Sequence, residues 1–140
     1  MNYELRQTDD TELVNALHTI CMPNDYAPKW DKQTLWACHA TDGTPVAFCS
    51  AQLLPHELHA TFLSSAGVLP CARGNGLQQR MIKARVQWAR MQGCHTCITY
   101  TVYDNHASIG NLLKQGFRFY HPVAPWAGKD VHYFMKEDLL

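Results

Sequence analysis

A short turn in the middle of the chain, Val68 to Gln78, combines residue types that bind anions. The uncharged, mostly apolar run Ala60 to Val68 before it predicts a buried strand. Pro70 ends this strand, and Gly74 and Gly76 permit a tight turn into a helical pattern. The unpaired N–H groups of a first helical turn and the positive end of the helix dipole converge on one point. The sequence therefore predicts a phosphate cradle.

The turn alone leaves the ligand open. It lacks the Gly-Lys-Ser/Thr ending of a nucleotide P-loop and the third glycine of a dinucleotide fingerprint. Two glycines also occur in ordinary tight turns, so a turn without any ligand is the alternative interpretation. Arg73 favours an anion, because a guanidinium at the mouth of the turn adds a charge-assisted contact.

The helix predicted after this turn has two faces. Apolar residues recur at helical spacing on one face: Leu77, Met81, Ala84, Trp88 and Met91. Polar residues occupy another face: Arg80, Lys83, Gln87 and Arg90. Together with Arg85 they make the helix basic, and a basic helix is able to bind nucleic acid. The formal net charge of the chain, however, is zero. A solvated face is the simpler interpretation.

Two stretches of the chain resemble the GNAT family of N-acetyltransferases. Val68-x-Pro70 followed by Arg73-Gly74-Asn75-Gly76-Leu77 resembles the coenzyme A loop of that family, with Gln78 in place of a small last residue. The run from Asn105 to Phe117 resembles its later motif, an Asn and a short helix that ends in Lys-x-Gly-Phe. Since the motifs stand in the family's order in a chain of the family's length, the chain is identified as a member.

The resemblance implies transfer of an acetyl group from acetyl-CoA to a primary amine, by direct attack in a ternary complex and without a metal. The acceptor would be a small molecule or a peptide, and a homodimer is left open. The residues that would bind the cofactor are Ala66, Gly67, Val68, Arg73, Gly74, Asn75, Gly76, Leu77, Gln78, Gln79, Asn105, Ser108, Asn111 and Leu112. An amide near Val68 would polarise the thioester carbonyl. Gly67 can instead mark a strand bulge, and Asn105 can instead cap a helix.

The proton donor departs from the family pattern. The family's tyrosine would stand at Leu112, which cannot donate a proton, and serines replace the usual glutamate base on the central strand. Three phenols are candidates for the donor, in the order Tyr100, then Tyr120 and Tyr103. The alternative function is an acetyl-CoA-binding module with degraded catalysis, which would act as a sensor or interaction protein.

The whole pattern predicts an α/β fold in one domain, residues 1–140. Strands are predicted at Tyr3–Gln7, Leu35–Ala40, Val46–Leu54, Ala60–Val68, Cys97–Val102, Phe117–Tyr120 and Val131–Met135. Helices are predicted near Leu13–Ile20, from Leu77 to Met91 and after Asn105, and Asp42-Gly43 predicts a hairpin. The resemblance implies a mixed, mostly antiparallel sheet of about six to seven strands, flanked by helices and splayed at the central strand.

Composition limits the remaining function classes. Hydrophobic content of 46% and charged content of 17% are values of a globular domain, and zero net charge favours neither nucleic acid nor an anionic membrane. No export signal is recognised, so six cysteines indicate reduced thiols and a cytoplasmic protein. Cys94-x-x-Cys97 has the spacing of half a zinc site, and a structural pair of thiols is the alternative that we favour.

Overall fold

Seven β-strands and three α-helices form within residues 2–140, the part of the chain that the computed structural model describes. In chain order they are β1 (Tyr3–Thr8), α1 (Thr11–Cys21), β2 (Thr34–Ala40), β3 (Pro45–Leu53), β4 (Ala60–Val68), α2 (Leu77–Met91), β5 (Thr96–Val102), α3 (His106–Lys114), β6 (Arg118–Tyr120) and β7 (Val131–Lys136). Single 3-10 turns lie at Trp30–Lys32, His56–Leu58 and Pro70–Ala72. None of the helices in the described part has the length and apolar character needed to cross a membrane.

The strands form a mixed sheet in the order β1-β2-β3-β4-β5-β7-β6. β4 and β5 pair in parallel, over Ala60–Thr96, Thr61–Cys97 and Phe62–Ile98. The β1–β2, β2–β3, β5–β7 and β6–β7 pairs are antiparallel. The predicted α/β fold with a mixed, mostly antiparallel sheet is therefore confirmed, whereas the splay beside β4 stays a prediction.

The chain divides into two compact units. The first contains the described residues up to Gln52 together with Ser64–Met81. The second contains Leu53–Leu63 and Ile82–Leu140. The expectation of one domain over the whole length stays a prediction.

The core of the first unit forms around α1. Asp10 caps this helix, since its carboxylate accepts a hydrogen bond from Leu13 N at 3.0 Å. Val14 and Leu17 of this helix belong to one cluster of buried side chains, together with Trp30, Leu35 and Phe48. Trp30 begins the 3-10 turn Trp30–Lys32, after two prolines that indicate a loop with a helical turn. Its indole donates to Asn15 Oδ1 at 2.9 Å, which satisfies the polar atom of this core tryptophan.

His18 is buried in the same core. Its ring makes edge contacts with Trp30 and Phe48, with ring centroids 5.5 and 6.0 Å apart. Burial lowers the pKa of His18, and the carboxylate of Asp25 opposes this change only in part. Burial among these rings thus favours the neutral form of His18.

The buried face of α2 differs from the predicted stripe. Leu77 and Met81 are buried as expected, but Met91 is 74% exposed. The buried residues further along the helix are Ile82, Arg85, Val86 and Ala89. The prediction that Arg85 belongs to a solvated face is wrong, because this side chain is only 4% exposed. Its charge lies close enough to Cys97 to lower the pKa of that thiol, against the larger effect of burial.

Position 67 of β4 has no room for a side chain. A Cβ on Gly67 would lie 2.8 Å from Cys21 Cβ and 2.8 Å from Phe48 Cε1. These atoms belong to the end of α1 and to β3, so glycine permits a close approach between three elements. Packing thus explains this glycine without a bulge or a ligand, and its predicted contact with a cofactor stays a prediction.

We expect Gly67→Ala to lower the free energy of unfolding by about 1–3 kcal/mol, because the new methyl group overpacks the core. Thermal and denaturant unfolding measure this change. Gly110→Ala is the matched control, since nothing lies within 4 Å of a Cβ at this helical position. The control should be neutral or up to about 1 kcal/mol more stable. Equal stability of the two variants would contradict the packing explanation.

Candidate active site

The predicted cradle is present as a strand, a glycine turn and a helix. After β4, Pro70 begins a 3-10 turn, and Gly74 and Gly76 then adopt the left-handed conformation, with φ of +79° and +73°. Gly76 O accepts a backbone hydrogen bond from Arg80 N at 3.1 Å, so Gly76 is the residue from which α2 begins. The first N–H groups of an α-helix in general have no carbonyl one turn back. This is the arrangement that binds phosphate groups at helix N-termini.

Two polar side chains close the loop on itself. Asn75 Nδ2 donates to the carbonyls of Ala72 and Arg73, at 2.9 and 3.2 Å. Arg73 Nε donates to Val68 O at 3.2 Å. These bonds give Asn75 and Arg73 a definite role in the shape of the loop. Their predicted contacts with a cofactor stay predictions, as do those of Leu77, Gln78 and Gln79.

The end of β4 carries the predicted carbonyl-binding amides. Val68 is buried and Ala66 half-buried. The next residue, Leu69, donates its N–H to Val46 O of β3 at 2.8 Å, which fixes the strand end against its neighbour. The structure thus places Ala66, Gly67 and Val68 directly before the cradle, and their role toward a thioester stays a prediction.

A hydrogen-bonded serine pair joins β3 to the part of β4 where the resemblance implied a base. Ser50 Oγ and Ser64 Oγ are 2.8 Å apart, and Ser64 Oγ also donates to Gln33 Oε1. Ser65 N donates to Ser50 Oγ at 3.1 Å. The sequence analysis missed Gln33 and Ser50. The available signal was a serine inside the apolar run of β3, since a buried hydroxyl requires a partner.

The residues predicted on α3 have separate positions. Asn105 Oδ1 accepts from Ser108 N at 3.2 Å, so the helix-capping alternative for Asn105 is confirmed. Ser108 and Asn111 are half-buried, whereas the side chain of Leu112 is buried. Contacts of these four residues with a cofactor stay predictions.

The candidate phenols differ in their surroundings. Tyr100 is 38% exposed, and its ring stacks on Phe62 and meets Trp126 edge-on. Tyr120 OH accepts a hydrogen bond from Trp126 Nε1 at 3.2 Å, which leaves the phenol proton available for donation. Tyr103 is 61% exposed, just beyond the end of β5. The strands that carry Phe62 and Tyr100 were predicted correctly. The contacts of Tyr100 with Phe62 and Trp126 were not predicted from the sequence.

All six cysteines are free thiols. Cys94 and Cys97 are buried, and Thr61 Oγ1 donates to Cys94 Sγ at 3.3 Å. Burial raises the pKa of Cys97 to about 12. Within residues 2–140, no group of three or more His, Cys, Asp or Glu side chains is arranged to hold a metal ion. Cys71, in contrast, is exposed in the turn that precedes the cradle.

Comparison with known proteins adds independent findings. A model of the acetyltransferase (GNAT) family matches residues 2–117. The chain is 31% identical over 83 residues to aminoglycoside N(6')-acetyltransferase type 1 of Klebsiella aerogenes. That match covers 56% of this chain and 55% of the relative, so it spans about half the length of the relative.

Solved structures resemble the fold over nearly the whole chain. IAA acetyltransferase from Bacillus cereus has a TM-score of 0.81 at 11% identity, and the match covers 97% of this chain and 99% of that one. The ribosomal-protein-S18-alanine N-acetyltransferase of Escherichia coli has a TM-score of 0.76 at 16% identity, covering 98% and 94%. A Bacillus subtilis acetyltransferase in complex with CoA has a TM-score of 0.77 at 12% identity, covering 97% and 99%. At these identities the likeness shows the fold alone.

We expect one thiol of the native protein to react fast with a chromogenic disulfide reagent and six to react after denaturation without reductant. The fast group is Cys71, because the other thiols are buried or half-buried and burial disfavours the reactive thiolate. Absorbance of the released chromophore measures both numbers. Cys71→Ser should abolish the fast phase. Fewer than six thiols in the denatured protein would indicate a disulfide.

Proposed function

Because the chain belongs to the acetyltransferase (GNAT) family, we propose that it transfers an acetyl group from acetyl-CoA to a primary amine. The observation that carries this proposal is the glycine turn at the start of α2, with Gly74 and Gly76 both left-handed. Attack is direct, within a ternary complex, so no acyl-enzyme intermediate is required. The protein is accordingly an acetyl-CoA-dependent acyltransferase.

The cradle would hold the pyrophosphate of acetyl-CoA on the backbone amides from Gly74 to Gln79. The dipole of α2 supports this placement, because its positive end lies at the same place. Hydrogen bonds from Asn75 and Arg73 to carbonyls of the loop support it further, since they fix the loop before a ligand arrives. Asn105, Ser108, Asn111 and Leu112 would contribute to cofactor binding as the family motif implies.

The chemical step needs an oxyanion donor and a proton for the leaving thiolate. An N–H group at Val68 or a neighbouring residue of β4 would stabilise the tetrahedral intermediate, and one such donor typically contributes about 2.7–4 kcal/mol. The amine attacks in its neutral form, so solvent or a residue near it takes the proton. Tyr100 is the first candidate for protonating the thiolate, and Tyr120 is the second.

The acceptor is proposed only as a primary amine, on a small molecule or a peptide. The relatives are named after different substrates, among them aminoglycosides and the alanine of a ribosomal protein. Each of these substrates is that relative's own. A cytoplasmic location and a homodimer also belong to this proposal, and cell fractionation and sedimentation equilibrium measure them directly.

Gly76→Val should weaken acetyl-CoA binding by at least about tenfold. The β-branched side chain opposes the left-handed conformation and obstructs the approach of the cofactor to the backbone. Isothermal titration calorimetry with acetyl-CoA measures the effect. Gly43→Val is the matched control, because Gly43 is also left-handed (φ +89°) with open space around it but lies in the β2–β3 hairpin. Unchanged affinity in a folded Gly76→Val protein would remove the cradle from the proposal.

Tyr100→Phe should lower kcat at least about tenfold and leave the Kd of acetyl-CoA unchanged. A phenol carries a proton at neutral pH, and donation of that proton is typically worth about 10²–10⁴ in rate. Phenylalanine keeps the stacked ring on Phe62, so packing is retained. Release of free CoA with a panel of amines measures the rate, and Tyr3→Phe is the control. Full kcat in Tyr100→Phe would transfer the role to Tyr120, Tyr103 or water.

A further inference from the structure

Three aromatic rings lie together in the second unit, and the proposed reaction uses only the hydroxyl group of one of them, Tyr100. We name Phe62, Tyr100 and Trp126 the aromatic corner. Phe62 and Tyr100 lie nearly parallel, with an interplanar angle of 17° and centroids 6.1 Å apart. Trp126 stands almost perpendicular to both, at 83° and 81°, with centroids 5.2 and 5.4 Å away. Two stacked rings thus share edge contacts with one indole.

The strand register explains why Phe62 and Tyr100 lie side by side. Phe62 of β4 lies beside Ile98 of β5, and Tyr100 is two residues further along β5. Side chains two residues apart share one face of a sheet, so Phe62 and Tyr100 are neighbours on the same face. Tyr133 of β7 is paired with Tyr100 and extends the aromatic character of this face to the next strand.

Trp126 is positioned by hydrogen bonds of its own segment, which lies between β6 and β7. Trp126 Nε1 donates to Tyr120 OH. The hydroxyl of Tyr133 accepts from Ala127 N at 2.9 Å and donates to Gly128 O at 2.8 Å, so it ties down the two residues that follow Trp126. The corner is therefore organised before any ligand arrives, which lowers the entropic cost of binding.

Two of the three rings remain exposed to solvent despite this order, whereas Phe62 is half-buried. Tyr100 is 38% exposed and Trp126 is 41% exposed. The face of an aromatic ring carries the negative part of its quadrupole, and indole binds cations best. Surfaces with several such rings are the sites that proteins use for alkylammonium groups.

We propose that the aromatic corner binds an alkylammonium group of the amine acceptor, one that does not itself become acetylated. The reacting nitrogen must be neutral to attack a thioester, whereas attraction to the rings requires a positive charge. An acceptor that uses both features carries at least two amino groups. The substrate class is therefore diamines, polyamines or amino sugars, and this specification rests on the proposed acetyl transfer.

Binding is tested first without acetyl-CoA. Choline is the cationic probe, and its neutral carbon isostere is the matched ligand. Titration followed by the indole N–H resonance of Trp126 in a nitrogen–proton NMR spectrum should show saturable binding of choline, at least about threefold tighter than that of the isostere. Equal binding of the two probes, or no response of this resonance, would overturn the proposal.

Variants locate the binding. Trp126→Ala should weaken choline binding about three- to tenfold, measured by ligand-observed NMR, and Trp126→Phe should restore part of it because a ring returns. Tyr103→Ala is the matched control, since Tyr103 is an exposed tyrosine of the same unit outside the corner. Retained affinity in Trp126→Ala, or an equal loss in Tyr103→Ala, would place the cation elsewhere.

Acetyl transfer then tests the substrate class separately. Trp126→Ala should raise KM for a diamine about three- to tenfold while KM for a monoamine of equal chain length changes less than about twofold. Equal changes for both amines would contradict the specificity role. If neither amine is acetylated while choline still binds the corner, the proposed transfer fails and the cation site stands, so the two failures are distinguishable.

Discussion

The absence of any space for a side chain at Gly67 is the constraint on which the first unit depends. Cys21 of α1 and Phe48 of β3 approach the backbone of β4 as closely as glycine allows. The approach positions the last residues of β4, and the bond from Leu69 N to Val46 O continues this anchorage into the turn. The left-handed glycines and the start of α2 follow within a few residues. The geometry of the cradle is thus a consequence of core packing as much as of turn residues.

Local patterns were sufficient to predict most of the fold. The strand pattern of β1, the Asp-Gly hairpin and the bounds of β4 and α2 each depend on neighbouring residues, which a sequence displays directly. The buried face of α2 was harder. Arg85 is buried although its residue type favours solvent, and Met91 is exposed although it is apolar. Such assignments depend on what surrounds the helix, and helical spacing alone carries no information about it.

The candidate site divides in the same way. The glycine turn could be predicted because its conformation needs glycine at fixed positions. Phe62, Tyr100 and Trp126 could not be grouped, because they come from two strands and a loop that meet only in the folded sheet. Gln33 joins the serines of β3 and β4 for the same reason. The identity of the proton donor also depends on distances between elements. Residue types therefore reduced the candidates to three phenols and could not choose among them.

His18 gives the first unit a chemical sensitivity that a purely aliphatic core would lack. Because burial lowers its pKa, the folded protein binds this proton less readily than the unfolded chain does. The contribution of neutral His18 to the free energy of unfolding is therefore fully present above the ordinary histidine pKa near 6.5. It is lost as the pH falls through the lower pKa of the folded state. Protonation would place a charge between Trp30 and Phe48. Mild acid is therefore expected to destabilise the packing around His18, which links the stability of this core to the proton concentration around the protein.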